Sequence, residues 1–526
     1  MSNLLAPSLP MDDDTLIMDL SGSQWYIAHQ VPKLDTTAAE VQTGQHLRRN
    51  SLNILEIVMS GLVQIAPASS LILVTALMAG LAGASVPLVL ILAMLGVAAT
   101  GNALAQFSRM WPSAGSFVTF ISRAIDPRVG TVVAVSALVG YIVAFAGIYL
   151  FVGSFILTEV FKADSARDGS ALLTAVVYGG LIVIPVILGV RIGIRLAIAM
   201  YLIEIAIVLV ISLAILVQGG DNGLSTEPFT FGDAGTKGVA LAFALAVLAF
   251  VGFEAPAPLA EESENPRRNV PLAIMVGILV SGLIYLIGSY ASIEAFPNAA
   301  AYAEDATPFT TAADRFISPL SSLITLLFLT SVSASFMVAN TETSRVIFNG
   351  AREGLWHTLL ARVHNRFGTP WLAVIAFVAP SLAIAAVAIV MTDAATAAGF
   401  LSTWGTLGII LMYAMTNVAL IVLWFRERAA GTTRHAMTWL AVPLVGVAVM
   451  AIPYWSSFQP DQAPPFDKLP WYFAGLLAIG VLYTTVLQLR KPDVARNAGA
   501  IVMGETTPHA PVHPDPARAR SAAGPP

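Results

Sequence analysis

Long apolar runs without charge follow one another along most of this chain. From Ile57 to Ser108 there is no charged residue, and residues 80–87, which include two glycines and a proline, predict a turn inside this run. About 20 apolar residues are enough to cross a bilayer as a helix. The run therefore predicts two membrane spans.

Further apolar segments extend this pattern. Eight of them contain no charged residue: 129–158, 171–190, 269–293, 316–341, 367–392, 394–425, 436–460 and 469–489. Two others each contain a single acid, Glu204 within residues 196–218 and Glu254 within residues 238–260. The sequence predicts an all-α polytopic membrane protein with 12 transmembrane helices.

The basic residues are unevenly distributed between the connections. With the N-terminus on the cytoplasmic side, 22 of the 27 Lys and Arg residues fall in the tails and the predicted cytoplasmic loops. Short cytoplasmic loops of membrane proteins are enriched in Lys and Arg. We therefore expect a multi-pass protein of the cell membrane, in contact with the lipid bilayer and with both termini in the cytoplasm.

Composition excludes several other classes of protein. Hydrophobic residues make up 56% of the chain and charged residues 11%, with a mean hydropathy of +0.77, whereas soluble domains carry roughly a quarter charged residues. A net charge of −5 and the absence of cysteine predict no nucleic-acid partner and no thiolate metal site. The polar or Pro/Ala-rich residues 1–50 and 491–526 are predicted to be disordered cytoplasmic tails.

Prolines interrupt two predicted spans that lie five spans apart. The interruptions are residues 65–70 (IAPASS) in span one and residues 251–258 (VGFEAPAP) in span six. Matched discontinuous helices are typical of transporters built from inverted repeats. The spacing predicts a five-plus-five repeat with these segments: spans one to five in 51–220, an extracellular loop in 221–237, spans six to ten in 238–426, and spans 11 and 12 in 427–490.

The prolines at the two interruptions, Pro67, Pro256 and Pro258, predict unpaired backbone groups within the membrane. A proline removes one helix hydrogen bond and frees the carbonyl four residues earlier. In hydrocarbon such groups must be paired or must line a cavity that holds water or a ligand. The two interruptions are therefore the candidate substrate site, and the alternative is an ordinary proline kink in each helix.

Three sequence blocks resemble the amino acid–polyamine–organocation superfamily of permeases. They are residues 107–117 (FSRMWPSAGSF) continuing to 130, residues 250–254 (FVGFE) with 259–271 (LAEESENPRRNVP), and Arg345 with 350–354 (GAREG) and 366–370 (RFGTP). The resemblance covers roughly residues 50–425. It implies the leucine-transporter-type fold, with an inverted repeat of ten core helices followed by two more.

The resemblance also implies which residues bind the substrate. In that family the unwound part of span one is usually glycine-rich, and its amides receive a substrate carboxylate. Residues 65–69 here contain no glycine, which leaves an amine substrate open beside an amino acid. A phenylalanine ring of span six would close over a substrate ammonium by cation–π attraction, or would merely pack. The implied substrate-binding residues are Ile65, Ala66, Ala68, Ser69, Ser70, Phe250, Val251, Gly252, Phe253 and Glu254.

Glu204 is the candidate ion-coupling residue. It lies nine residues beyond Arg195, which places it about 13 Å along the helix and close to mid-membrane. A carboxyl there is costly and is by default a functional residue. It could exchange a proton, or hold Na⁺ together with the hydroxyls of Ser333 and Ser335. The alternative is a buried, protonated glutamate that bonds a neighbouring helix.

Glu254 follows the interruption of span six directly. The start of a half-helix favours a negative charge, so this residue could receive a cation or gate the site. Its alternative role is a structural helix cap.

A secondary active transporter of amino acids or related amines is the function predicted from these features. It would work by alternating access, coupled to H⁺ or Na⁺ or by exchange of its small-molecule substrate. No GxxxxGK[ST] motif and no cluster of catalytic residues within a span is found, so we expect neither an enzyme, a cofactor nor a metal. The alternatives are a permease for amines such as ethanolamine or polyamines, and a sensor that binds substrate without moving it.

Overall fold

A computed structural model of the protein describes residues 16–18, 25–27, 47, 50–163, 168–221, 223–305, 307–318, 323–459, 462 and 464–503. Most of the predicted N-terminal tail, and the predicted C-terminal tail beyond Met503, lie outside the described residues. The chain divides into two compact units, Met1–Gln45 and His46–Pro526. In the first unit, β1 (Leu16–Met18) pairs with β2 (Trp25–Ile27) in an antiparallel ladder.

The second unit is built from α-helices. In chain order they are α1 (Ile54–Ile65), α2 (Pro67–Ala82), α3 (Val86–Met110), α4 (Phe117–Ala124), α5 (Pro127–Phe155), α6 (Asp168–Leu188), α7 (Val190–Gln218), α8 (Gly235–Ala249), α9 (Pro266–Glu294), α10 (Ala299–Glu304), α11 (Pro308–Phe316), α12 (Ile324–Arg352), α13 (Trp371–Met391), α14 (Ala394–Ala429), α15 (Val442–Ser457), α16 (Leu469–Arg490) and α17 (Pro492–Arg496). Two π-helical turns, Ile156–Val160 and Met437–Ala441, extend α5 and precede α15.

Eleven helical segments of the described chain are long and apolar enough to cross a membrane. Every predicted span except the sixth overlaps one of them. The sixth is different because its apolar helix, α8, has only 15 residues and is followed by turns. The protein is therefore a polytopic helical membrane protein, while the count of 12 spans stays a prediction.

The outer faces of several helices are apolar and exposed. Val217 on α7, Val390 on α13 and Leu489 on α16 expose 86%, 85% and 80% of their surface. Apolar side chains exposed to this extent on helix faces are typical of surfaces that contact lipid. These helices therefore lie at the periphery of the bundle.

The centre of the bundle contains a close crossing of α5 and α14. A Cβ atom at Gly405 of α14 would lie 2.2 Å from the Ala144 nitrogen and 2.3 Å from the Gly140 carbonyl oxygen of α5. Small residues let membrane helices approach until their backbones touch. Any larger residue at this position would push α5 and α14 apart.

Helix contacts recur in reciprocal pairs along the chain. Predicted span five packs on span eight (α7 on α12), and span ten packs on span three (α14 on α5). Span one packs on span seven (α1 on α9), and span six packs on span two (α8 on α3). In each case the second contact joins the spans that correspond to the first pair in the other half of the chain, five spans later for one span and five spans earlier for the other. This is the contact pattern expected of a five-plus-five repeat.

The segment after the last predicted span is packed against the helices. Gly499 and Ile501 donate their backbone N–H groups to the Glu353 carboxylate at 2.8 and 3.2 Å, and Arg123 Nε donates to the Gly499 carbonyl at 3.1 Å. The prediction of a disordered C-terminal tail is therefore wrong as far as Met503. Hydrogen bonds to its backbone hold the segment, and the few apolar side chains that it has, Ala495, Ala498 and Val502, are buried as well.

Glu353, which holds this segment, lies just beyond the end of α12. Burial raises the pKa of its carboxyl, while the N–H groups of Gly499 and Ile501 act in the opposite direction. A partly buried carboxylate that accepts several N–H groups keeps those groups in one arrangement. Glu353 therefore positions the C-terminal segment against the end of α12.

Candidate functional site

The helix of the predicted first span breaks at Ala66. Helix α1 ends at Ile65, Ala66 takes a left-handed conformation with φ of 52°, and α2 begins at Pro67. Pro67 fits the first position of a helix, where its missing N–H would have no partner in any case. The sequence prediction of an interruption at residues 65–70 is confirmed.

The helix of the predicted sixth span breaks at Ala249 and does not resume as an α-helix. Residues 250–259 form consecutive turns, followed by the 3₁₀ turn Ala260–Glu262. Pro256 and Pro258 have no N–H to donate, which prevents the α-helical hydrogen-bond ladder from re-forming. Half of this span is therefore a chain of turns inside the protein.

The two breaks touch each other. Gly252 has φ of 110°, and a Cβ atom there would lie 2.3 Å from Cγ and 2.9 Å from the carbonyl oxygen of Gln64. Tyr285 of α9 faces both breaks, with its hydroxyl 3.1 Å from the Ile65 carbonyl oxygen and 2.5 Å from that of Ala249. One hydroxyl, with a single hydrogen, thus lies between the last carbonyls of the two broken helices, a role that the sequence analysis missed.

Glu204 lies where predicted spans one, five and eight meet. Its side chain is 1% exposed, and Ser331 Oγ of α12 donates to it at 3.2 Å. The amide of Ala68, in the first turn of α2, faces the same carboxyl. The next amide, of Ser69, donates to Ser331 Oγ at 3.2 Å. The carboxyl therefore occupies the positive end of a half-helix, where a negative charge is stabilised.

The two hydroxyls predicted beside Glu204 bond other groups. Ser333 lies 3.0 Å from the Tyr178 hydroxyl, and Ser335 donates to the Gln64 carbonyl at 2.8 Å. The serine that contacts Glu204 is Ser331, four residues before Ser335 and on the same face of α12. No signal in the sequence singles out Ser331, because the rotation of α12 about its axis could not be read from it.

The phenylalanines predicted to close over a substrate are packed against tyrosines. Phe250 and Phe253 are fully buried, and their rings lie 5.2 Å from Tyr285 and 5.0 Å from Tyr413 between centroids. Both contacts are tilted or edge-to-face, as aromatic pairs prefer. In this conformation the two rings pack.

A second acidic centre joins predicted spans six and eight. Glu254 accepts the Tyr141 hydroxyl and, at 3.0 Å, the Gly252 N–H. Glu342 of α12 accepts the Gln64 side-chain amide at 3.1 Å. The sequence analysis missed Glu342 because it ended the apolar run of span eight one residue earlier, whereas the helix continues for 11 more residues to Arg352.

Both acids of this centre line a cavity of about 40 Å³. A water molecule needs roughly 10–15 Å³ measured in this way, so the cavity is too small for an amino acid or a diamine. Of the ten predicted substrate-binding residues, Glu254 is the one that lines it. Substrate binding at the breaks therefore requires helices to move. Among the residues that the structure describes, no three His, Asp or Glu are grouped as a metal site.

Two ion pairs, one of them fully buried, join the sequence blocks around this site. Arg345 donates to Glu262 at 2.8 and 3.2 Å, and neither side chain has any exposed surface. Arg352 donates to Glu261 at 3.0 and 2.5 Å, and the amide of Ala114 lies 3.3 Å from the same carboxylate. The three blocks that are distant in sequence thus meet at one end of the bundle. These pairs fix the turns of span six against α12.

Sequence comparisons relate the chain to membrane carriers. A family model described as amino acid permease matches residues 55–483. The low-affinity putrescine importer PlaP of Escherichia coli (strain K12) is 23% identical over 419 residues, 76% of this chain and 86% of that protein. The cationic amino acid transporter 4 of Homo sapiens is 25% identical over 351 residues, 61% of this chain and 50% of that protein. The aspartate-proton symporter of Bacillus subtilis (strain 168) is 27% identical over 186 residues, 33% and 35% of the two chains.

Proposed function

Because this chain belongs to the amino acid permease family, within the amino acid–polyamine–organocation superfamily, we propose that it carries amino acids or related amines across the cytoplasmic membrane by alternating access. Its relatives are transporters, and the chain is itself a multi-pass membrane transporter. Proton coupling and substrate class are the parts that we infer. The observation that carries the proposal is the contact between two broken helices beside the buried Glu204.

The architecture that we propose has 12 spans, with an inverted repeat of spans one to five and six to ten and both termini in the cytoplasm. The reciprocal contacts of α7 with α12 and of α14 with α5 support the repeat. So do the paired breaks at Ala66 and after Ala249. In such folds the repeats move against each other around a central site, which exposes it to each side in turn.

Glu204 is our candidate for the coupling residue, and a proton is the ion that its surroundings favour. Na⁺ prefers several oxygen ligands, and the carbonyls freed at a helix break would be its natural source. In this structure the Gln64 carbonyl accepts the Ser335 hydroxyl, and the Tyr285 hydroxyl lies 3.1 Å from the Ile65 carbonyl oxygen, so each oxygen would be shared between this hydrogen bond and the ion. A proton needs only the carboxyl itself.

An amine without a carboxylate is the second candidate substrate. The first amides of a half-helix are the expected receptor for a substrate carboxylate. Here Pro67 has no N–H, the Ala68 amide faces Glu204, and the Ser69 amide bonds Ser331. The protein's own carboxyl thus takes the place of a substrate carboxylate, which favours amines over α-amino acids.

The test is transport by the purified protein in liposomes. Labelled putrescine, ethanolamine, arginine and leucine are offered with a pH gradient, and with or without sodium. One pH unit corresponds to about 1.4 kcal/mol per proton, so one coupled proton supports at most about a tenfold accumulation. We expect gradient-driven accumulation, and we expect Glu204→Gln to equilibrate its substrate without accumulating it.

The matched control is Glu159→Gln, since this acid is half exposed and pairs only with the exposed Lys162 among the described contacts. It should accumulate substrate as the wild type does. Full accumulation by Glu204→Gln would remove the coupling role while leaving transport intact. Binding without any uptake by the wild type would favour the sensor.

A further inference from the structure

Two carboxyl groups from different parts of the chain line one cavity. Glu254 comes from the turns of predicted span six, and Glu342 comes from α12. They are 1% and 3% exposed. No Lys, Arg or His is among the described residues that line this cavity. The site therefore has two potential negative charges and no positive one.

Two hydrogen-bond acceptors at this centre have no donor among the described residues. Tyr141 and the Gly252 amide serve Glu254, and the Gln64 amide nitrogen serves one oxygen of Glu342. The other oxygen of Glu342, Oε2, is buried and without a partner among the described residues. The same holds for the side-chain oxygen of Gln64. A buried acceptor without a donor is costly, so Glu342 lacks a donor, whereas the buried Tyr413 hydroxyl, also without a partner among the described residues, faces Glu254.

A cationic hydrogen-bond donor would supply both the missing positive charge and the missing hydrogen bonds. Buried carboxylates are stable only when they are paired with a positive group or protonated. An ammonium group has three donors and one positive charge. The rings of Phe117 and Tyr141 also line the cavity, and aromatic faces attract cations. The chemistry of the walls thus matches one ammonium group.

We propose that Glu254 and Glu342 together bind the ammonium group of a cationic substrate, a primary amine or diamine. This proposal rests on the proposed transport function and narrows its substrate class. The cavity of about 40 Å³ holds about three water-sized groups, enough for an ammonium group but not for a whole diamine. The remainder of the substrate enters only when the helices around the breaks separate.

Glu342 sets the preference for cations in this arrangement. Glu254 already has two donors from the protein, whereas Glu342 has one. Loss of the Glu342 charge therefore removes the carboxylate whose free oxygen the ammonium group would bond. Neutral amino acids, whose ammonium is balanced by their own carboxylate, depend less on a second acid.

Binding of labelled putrescine, ethanolamine and leucine to the purified full-length protein in detergent tests this proposal. We expect Glu342→Gln to weaken putrescine and ethanolamine binding at least about tenfold, about 1.4 kcal/mol, while leucine binding changes little. Glu342→Asp keeps the charge and should restore a large part of the affinity. The matched control is Glu294→Gln. Glu294 is a buried acid at the C-terminal end of α9, where it accepts the Ser225 amide at 3.2 Å.

A structural effect would weaken all three ligands together and would also lower the melting temperature of Glu342→Gln. Equal weakening of leucine and the amines, or unchanged amine binding, would overturn the cation site. A wild type that transports leucine but binds neither amine would overturn it too, while leaving the transport proposal standing. Amine binding that depends on Glu342 without any transport would support the site and contradict the transport function.

Discussion

Replacing Gly252 by alanine tests whether the contact between the two broken helices is as close as the structure has it. The alanine Cβ would lie 2.3 Å from Gln64 Cγ, which can rotate away. It would also lie 2.9 Å from the carbonyl carbon and oxygen of Gln64, which belong to the backbone of α1 and cannot. The substitution must therefore separate the two breaks.

The expected cost has two parts. A residue with a Cβ atom at φ of 110° is strained by about 1–3 kcal/mol. Insertion of a methyl group into a packed interior costs about 1–3 kcal/mol more. The sum of about 2–6 kcal/mol is large beside the stability of a typical folded domain, about 5–15 kcal/mol. We expect Gly252→Ala to lower the melting temperature clearly and to abolish transport.

The assay is thermal unfolding of the purified protein in detergent, with substrate uptake measured in liposomes. Gly475→Ala is the matched control, because Gly475 lies within α16 and a Cβ atom there meets nothing within 4 Å. Alanine is the better helix former, so this control should melt at or slightly above the wild type. If Gly252→Ala melted with the control and transported substrate, the close contact at Gln64 would be refuted.

Two further substitutions test other contacts. Tyr285→Phe leaves the carbonyls of Ile65 and Ala249 without a hydroxyl donor, at about 1–3 kcal/mol for a buried acceptor, so melting should occur at a lower temperature and uptake should slow. An unchanged melting curve would mean that neither carbonyl depends on this hydroxyl. Glu353→Ala removes the acceptor of two backbone N–H groups in residues 499–501, so trypsin should cleave after Arg496 faster than in the wild type. Equal cleavage rates would show that Glu353 does not hold the segment.

The membrane helices and their breaks could be predicted from the sequence because the bilayer and proline act locally. Twenty apolar residues have few alternatives to a spanning helix. Pro67 fits the first turn of a helix, and the break falls one residue before it. The extent of the second break was not predictable in the same way. Whether a helix resumes after Pro256 and Pro258 depends on partners for the turns, here the ion pairs of Glu261 and Glu262 with α12.

The acids of the site were only partly predictable. Glu204 and Glu254 are visible because each is a single charge within an apolar run. Glu342 is not, since it follows the run and resembles the polar end of a span. Ser331, Ser333 and Ser335 are equivalent in sequence, and the rotation of α12 decides which of them faces Glu204.

The sequence alone determined that this chain is a helical membrane protein, where its helices lie and where two of them break. These features depend on residues within a few turns of one another and on the hydrocarbon around them. The tertiary structure decided which groups meet: the two breaks at Gln64 and Gly252, and Glu342 beside Glu254. It also decided that the C-terminal segment is held by Glu353. Those contacts join residues far apart in the chain, and they depend on how whole helices pack and rotate, which no local pattern contains.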